Sequence, residues 1–391
     1  MADDNSSSFY ILILAVIGIF ILWMRRRRRL KQLQNKDIGI DPNANSYVNE
    51  VTPLNSNTSK ADHPPLKTEA FNEHLADHIT SRLGLERIEN FSIKKFFSES
   101  FKRHTVDEVE QMLIVGTATT TPAVNSTMAV MPTPWLFFWV FTRAMIVYLI
   151  LLFSWNQFKE TNVLPGLMFV GSFVMPFSIL ILFFELNTPK NISIFKVIQL
   201  TFIGGVIAIL ITFFLYSSFP NVMILGAPSA GIIEEVAKLA GLIMVLNAAN
   251  EDRYPYRLNG LLLGAAVGTG FAAFESAGYA LQSFSEVNRT MLDNIHLRAL
   301  MAPFAHISWT AITASAYWIA RKNHDGVIAT ITSWQFLKLF FVSVGLHMIW
   351  NMSFTGPYFI KFWFLGFVSW VVIISLAQSG LKELSVDNQK A

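Results

Sequence analysis

Residues 226–245 read GAPSAGIIEEVAKLAGLIMV. At about 1.5 Å of rise per residue, some 20 apolar residues cross roughly 30 Å of hydrocarbon, so this run has the length of a membrane span. Near its middle stand Glu234, Glu235 and Lys238. Around it, comparable apolar runs fall near 135–155, 164–184, 195–217, 258–281, 299–320, 335–355 and 357–377, with the run containing the quoted stretch covering about 222–248. Together with an apolar run from Phe9 to Met24 they make about nine spans. The predicted fold class is all-α: a polytopic transmembrane helical bundle.

Composition agrees. Of 391 residues, 52% are hydrophobic and only 15% charged, against roughly 25% charged in soluble proteins. Mean hydropathy is +0.42. Phe (34) and Trp (10) are abundant, as expected where side chains meet lipid and its interfaces. The absence of cysteine excludes disulfides, thiol catalysis and Cys-ligated metal or iron–sulfur sites. The net charge of +3 says little about partners, and nothing in the chain points to nucleic acid.

The Phe9–Met24 run is followed at once by Arg25–Arg29, the reverse of a cleavable signal peptide. The sequence predicts an uncleaved anchor over 1–29 with the N-terminus external and the arginines cytoplasmic. A linker follows over 30–65. A small cytoplasmic helical domain is expected over 66–115, with apolar residues at helical spacing (Phe71, Leu75, Ile79, Leu83) and a cluster at Phe96, Phe97 and Phe101. A second linker spans 116–134, the membrane core 135–377, and a cytoplasmic tail 378–391. On this orientation Lys190, Arg253, Arg257, Arg321, Lys322 and Lys382 lie inside, and Lys159, Arg289 and Arg298 outside.

An ionisable residue at the bilayer centre costs about 2.5–3.5 kcal/mol on insertion scales, and so marks function by default. Glu234 and Lys238 share a helix face; Glu235 is turned by about 100°. One Lys neutralises one Glu, which leaves a carboxylate over. Glu275 stands in the next span beside a ridge of small residues, Gly260, Gly264, Gly268, Ala272, Ser276 and Ala280, that lets a neighbour helix approach. His306 follows in the seventh span, counting the N-terminal anchor as the first; His347 and Asn351, four apart, in the eighth. Placed by depth, the set opens toward the external face. A Glu and a His on a water can activate it against a peptide carbonyl, and a His beside an Asn can donate to an oxyanion. No HExxH or GxSxG motif is present. A transporter or proton-coupled carrier would bury the same residue types, but would more typically show repeated halves; a scaffold on a degenerate core is a third reading.

In order along the chain, Glu234-Glu235-x-x-Lys238, Phe271-x-x-x-Glu275, His306 and His347-x-x-x-Asn351 resemble the motifs of the PrsW-like intramembrane proteases, within the CAAX-processing and bacteriocin-processing superfamily. The resemblance covers roughly 135–377. It implies a peptidase of glutamic or metal-dependent type in the cell membrane, acting on a membrane-anchored protein, in some relatives an anti-sigma factor at its first cleavage. It further implies Glu234 as the water-activating base supported by Glu235, and an oxyanion hole from His347 and Asn351. Lys238 and Phe271 support the site. A divalent metal such as zinc, if bound, would fall to Glu234, Glu275, His306 and His347. The CAAX-processing branch has His where this chain has Glu275, so the partner of the base stays open, with His306 one choice. Both Glu234→Gln and Glu275→Gln are expected to abolish proteolysis.

Overall fold

The structure, a computed structural model, describes residues 80–86, 91–122, 131–246, 253–286, 288–354 and 359–390. Among these, all regular elements are helical and there is no strand. The predicted N-terminal anchor and first linker lie outside the described residues.

Helices α1 (Ile93–Phe96) and α2 (Val106–Leu113) precede the bundle. Thr105 caps α2 in a capping box with Glu108. The Thr105 N–H on its carboxylate holds Glu108 below the usual carboxylate range. The bundle comprises α3 (Leu136–Phe158), α4 (Leu164–Leu186), α5 (Ile194–Gln199), α6 (Gly205–Ser218), α7 (Ala230–Leu246), α8 (Arg257–Glu286), α9 (Asn288–Met301), α10 (His306–Ala320), α11 (Val327–Thr332), α12 (Trp334–Trp350) and α13 (Ile360–Lys390).

Among the described residues, five helical stretches are long and apolar enough to cross a membrane: 136–158, 161–186, 194–218, 257–283 and 360–386. The multi-pass architecture therefore stands, while the count of nine spans is not shown. Three expected spans are interrupted or short for identifiable reasons. The 222–248 run opens as 3₁₀ turns at Pro220–Leu225 and Ala227–Ser229, with Gly226 at a φ of 64° between them, and becomes α-helix only at Ala230. The 299–320 run is two helices, because Pro303 sits in a 3₁₀ turn, Ala302–Phe304, that ends α9 and resets the chain before α10. In α12 the helix stops at Trp350, with Asn351 as its C-cap. Conversely, α13 continues through residues read as a tail, with Leu381 and Leu384 buried.

The small-residue ridge performs the packing expected of it. A Cβ on Gly264 would fall 2.5 Å from Ala314 Cβ and Thr310 O, and one on Gly268 would fall 2.7 Å from His306 O. Helices α8 and α10 thus meet backbone to backbone, and only Gly fits. On another face of α8, Gly270 abuts Thr201 O inside a π-helical turn, Leu200–Gly204, that joins α5 to α6.

Two polar clasps hold the end of the bundle where α3 and α5 begin. Buried Glu185, near the C-terminus of α4, accepts the N–H groups of Trp135, Leu136 and Phe137 at 2.7, 2.8 and 2.9 Å. Those donors open α3 and have no intrahelical acceptor. The Asn259 amide bridges Asn187 and Asn191 at 2.8 and 2.7 Å. The pre-bundle segment packs at this same end: Gly116 lies against Ile192 and accepts from Arg253 at 3.3 Å. Leu85 and Phe96 join the principal buried core of the bundle, so the described part of the segment shares that core instead of building its own.

Candidate active site

At the opposite end, α7 and α10 begin, α12 finishes and α8 nears its C-terminus. These four helices bring together nearly all the predicted residues. Gly231 lets α7 approach α12 so closely that a Cβ there would lie 2.7 Å from Met348 N, which carries Glu235 onto His347. Gly268 does the same for α8 and the first residue of α10, His306. The turn before His306 is fixed from both sides, since Ser308 Oγ and Trp370 Nε1 donate to Pro303 O at 2.6 and 3.0 Å.

Within the cluster, Lys238 Nζ donates to Glu235 Oε1 at 2.6 Å and lies 3.1 Å from His306 Nδ1. It stands 3.8 Å from Glu234 Oε2 and 4.6 Å over the Phe271 ring. His347 Nδ1 is 3.0 Å from Glu235 Oε1, and His306 Nε2 is 2.9 Å from Glu275 Oε2. Ionised carboxylates only accept, so each of these ring nitrogens carries the proton. The remaining nitrogens therefore present lone pairs: His306 Nδ1 at 3.7 Å and His347 Nε2 at 3.8 Å from Glu234 Oε2. That oxygen is buried and, among the described residues, has no hydrogen-bond partner. Trp309 stacks on His347 with ring centroids 4.3 Å apart and locks its plane.

Glu275 stands apart from the convergence point, backing the His306 ring from its far side. Its other partner is Arg298 of α9, at 2.5 Å, which also donates to Ser276 at 2.8 Å and lies 4.6 Å over the Tyr279 ring. Asn351 caps α12 and is half-buried, and among the described residues its amide is outside the hydrogen-bonded cluster. Sequence reasoning missed Arg298, which it placed in an outer loop, and Trp309, one apolar residue among many. A guanidinium next to an apolar segment with an unpaired carboxylate was the available signal for the former.

Glu234, His306 and His347 can each offer one ligand atom, all within 4.8 Å of one another. With separations of 3.7 and 3.8 Å and a third of at most 4.8 Å, a point about 2.4 Å or less from all three exists, a few tenths of an ångström from zinc's ~2.0–2.2 Å bonds. The outer shell also suits a metal: each histidine is held by a carboxylate on its distal nitrogen. The donor set fits a divalent cation provided Lys238 gives up its contact with His306 for Glu235.

Fold and site together define a class: a polytopic helical membrane protein with a buried Glu/His/Lys centre at one end of its bundle. Within it, residues 192–377 match the family model for the PrsW family intramembrane metalloprotease. The resemblance carried by the four motifs thus holds over residues 192–377. No curated protein matches the chain. No solved structure matches it either.

Proposed function

We propose that this protein is a metal-assisted intramembrane endopeptidase that cuts a single-span, membrane-anchored protein near the external end of its helix. One observation carries the reading: two histidines, each fixed by a carboxylate on its outer nitrogen, place their inner nitrogens 3.7 and 3.8 Å from a Glu234 oxygen that has no hydrogen-bond partner among the described residues. In this reading Glu234, His306 and His347 hold a divalent cation such as zinc, which when bound polarises the scissile carbonyl and makes water a nucleophile at neutral pH.

The chain's own residues do the rest. Glu235 and Glu275 hold the imidazole tautomers in place. Glu234, through the carboxylate oxygen that does not face the histidines, would take a proton from the attacking water and return it to the leaving amine. Lys238 offsets the charge of the Glu pair, and Asn351 at the rim supplies a donor to the carbonyl oxygen as it gains charge. Burial of the cluster excludes bulk water and strengthens each of these interactions. With the Arg25–Arg29 block taken as cytoplasmic and nine spans, the cluster end of the bundle is external, and the cut falls at the outer end of the substrate helix, where unwinding exposes least backbone to lipid. An anti-sigma factor is one substrate of that architecture.

The test is cleavage of a single-span substrate by purified protein in proteoliposomes, with metal content measured alongside. Chelation should abolish the cut, and zinc should restore it. Full activity after verified metal removal would return the chemistry to Glu234 alone; no cleavage of any single-span substrate would overturn the protease reading.

A further inference from the structure

A cavity of 130 Å³ meets the cluster at His306, on the side of the ring where Glu275 and Arg298 stand, with Trp350 beside Asn351 in its wall. Ala272 of α8 and Ala305 before α10 give it a small-residue side; Leu297 and Met301 of α9 and Phe362 of α13 supply its large apolar walls. His306 lines both the cavity and the cluster, and Arg298 completes the wall. His306 is the residue the cavity shares with the cluster, so a peptide carbonyl held at the cluster leaves one neighbouring side chain to pass the His306 ring toward this space.

Its size and charge restrict what enters. An apolar cavity of about 150 Å³ admits benzene; this one, at 130 Å³, suits Leu, Ile or Met better than Trp. The Arg298 guanidinium is already engaged by Glu275 and Ser276, so the wall presents no unpaired cation to draw an acidic side chain. Leu297 is 40% exposed, which places it at the mouth.

We infer that this cavity is the subsite for the residue flanking the scissile bond, and that it selects a medium-sized aliphatic side chain. The inference rests on the protease reading and names its specificity.

The experiment uses a panel of single-span substrates carrying Leu, Met, Gly, Asp or Trp in turn through the outer third of the span. Cuts should fall beside Leu or Met, with kcat/KM for Gly, Asp or Trp lower by about 10-fold or more. Leu297→Ala widens the mouth without opening the core, and should shift preference toward Trp by a similar factor. In parallel, photo-methionine substrates are irradiated with Glu234→Gln protein and the cross-links mapped; they should join the residue beside the cut to Leu297 or Met301. A flat panel from an active enzyme, a preference unmoved by Leu297→Ala, or cross-links confined to other helices would each overturn the subsite. Cross-links in the cavity without any cleavage by the wild type would instead sink the protease reading and leave the cavity as a binding site for an apolar side chain of a membrane-anchored partner.

Discussion

The contrast between Glu275→Gln and Glu234→Gln is the sharpest test of the geometry. Sequence motifs alone put the two carboxylates on equal terms. In the structure Glu275 meets the cluster through the outer nitrogen of His306, at 2.9 Å, and otherwise pairs with Arg298, whereas Glu234 Oε2 lies 3.7 and 3.8 Å from the inner nitrogens of His306 and His347. A Gln at 275 retains shape and an accepting oxygen but loses the charge. A hydrogen bond to a charged partner is worth about 1.5–3 kcal/mol and a neutral one about 0.5–1.5, a difference near 1–1.5 kcal/mol. That corresponds to roughly 5–13-fold in rate, the low end of the ~10–100-fold typical of groups that orient a metal-binding histidine. Removing the base itself costs about 10²–10⁴-fold. The assay is kcat/KM in proteoliposomes, with monodispersity checked by size exclusion. Glu275→Gln should keep about 1–20% of activity and near-normal metal content; Glu234→Gln should lose nearly all activity and bind metal weakly. Equal, near-total loss in both would refute the outer-shell placement of Glu275, and unchanged activity in Glu275→Gln would remove it from the site.

Lys238→Met strands the fully buried Glu235 carboxylate, and should cost about 3–5 kcal/mol in equilibrium unfolding in mixed micelles. Adding Glu235→Gln should recover part of it, and additive losses would refute the pair. Glu185→Ala leaves three opening N–H groups of α3 without their acceptor. Stability should fall by at least about 1–3 kcal/mol with activity per folded molecule unchanged, since Glu185 lies at the other end of the bundle; a shift under ~0.5 kcal/mol would discount the clasp. Thr119→Cys and Ile224→Cys place single thiols at opposite ends of the bundle in a chain without cysteine. An impermeant reagent on intact cells should label only the latter, and labelling at Thr119 would invert the orientation drawn from Arg25–Arg29.

The sequence by itself determined the membrane class, the helical fold and the motif residues. Apolar runs of bilayer length and charges inside them are one-dimensional facts, and the physics of hydrocarbon makes each informative. The four-residue ridge of α8 was legible too, because its period is that of a single helix face. Helix ends were not. The 3₁₀ turns before α7 and between α9 and α10 fall within runs that stay apolar throughout, so hydropathy passed over the breaks that put Glu234 and His306 near helix starts. Roles within the cluster were beyond reach for a further reason. Glu234, Glu235 and Glu275 are the same side chain in similar surroundings, and only the positions of His306, His347 and Arg298, brought from 23 to 113 residues away in the chain, distinguish the inward carboxylate from the two that hold histidines. Such distinctions depend on which oxygen lies within about 3 Å of which nitrogen, and packing at Gly231 and Gly268 sets that distance.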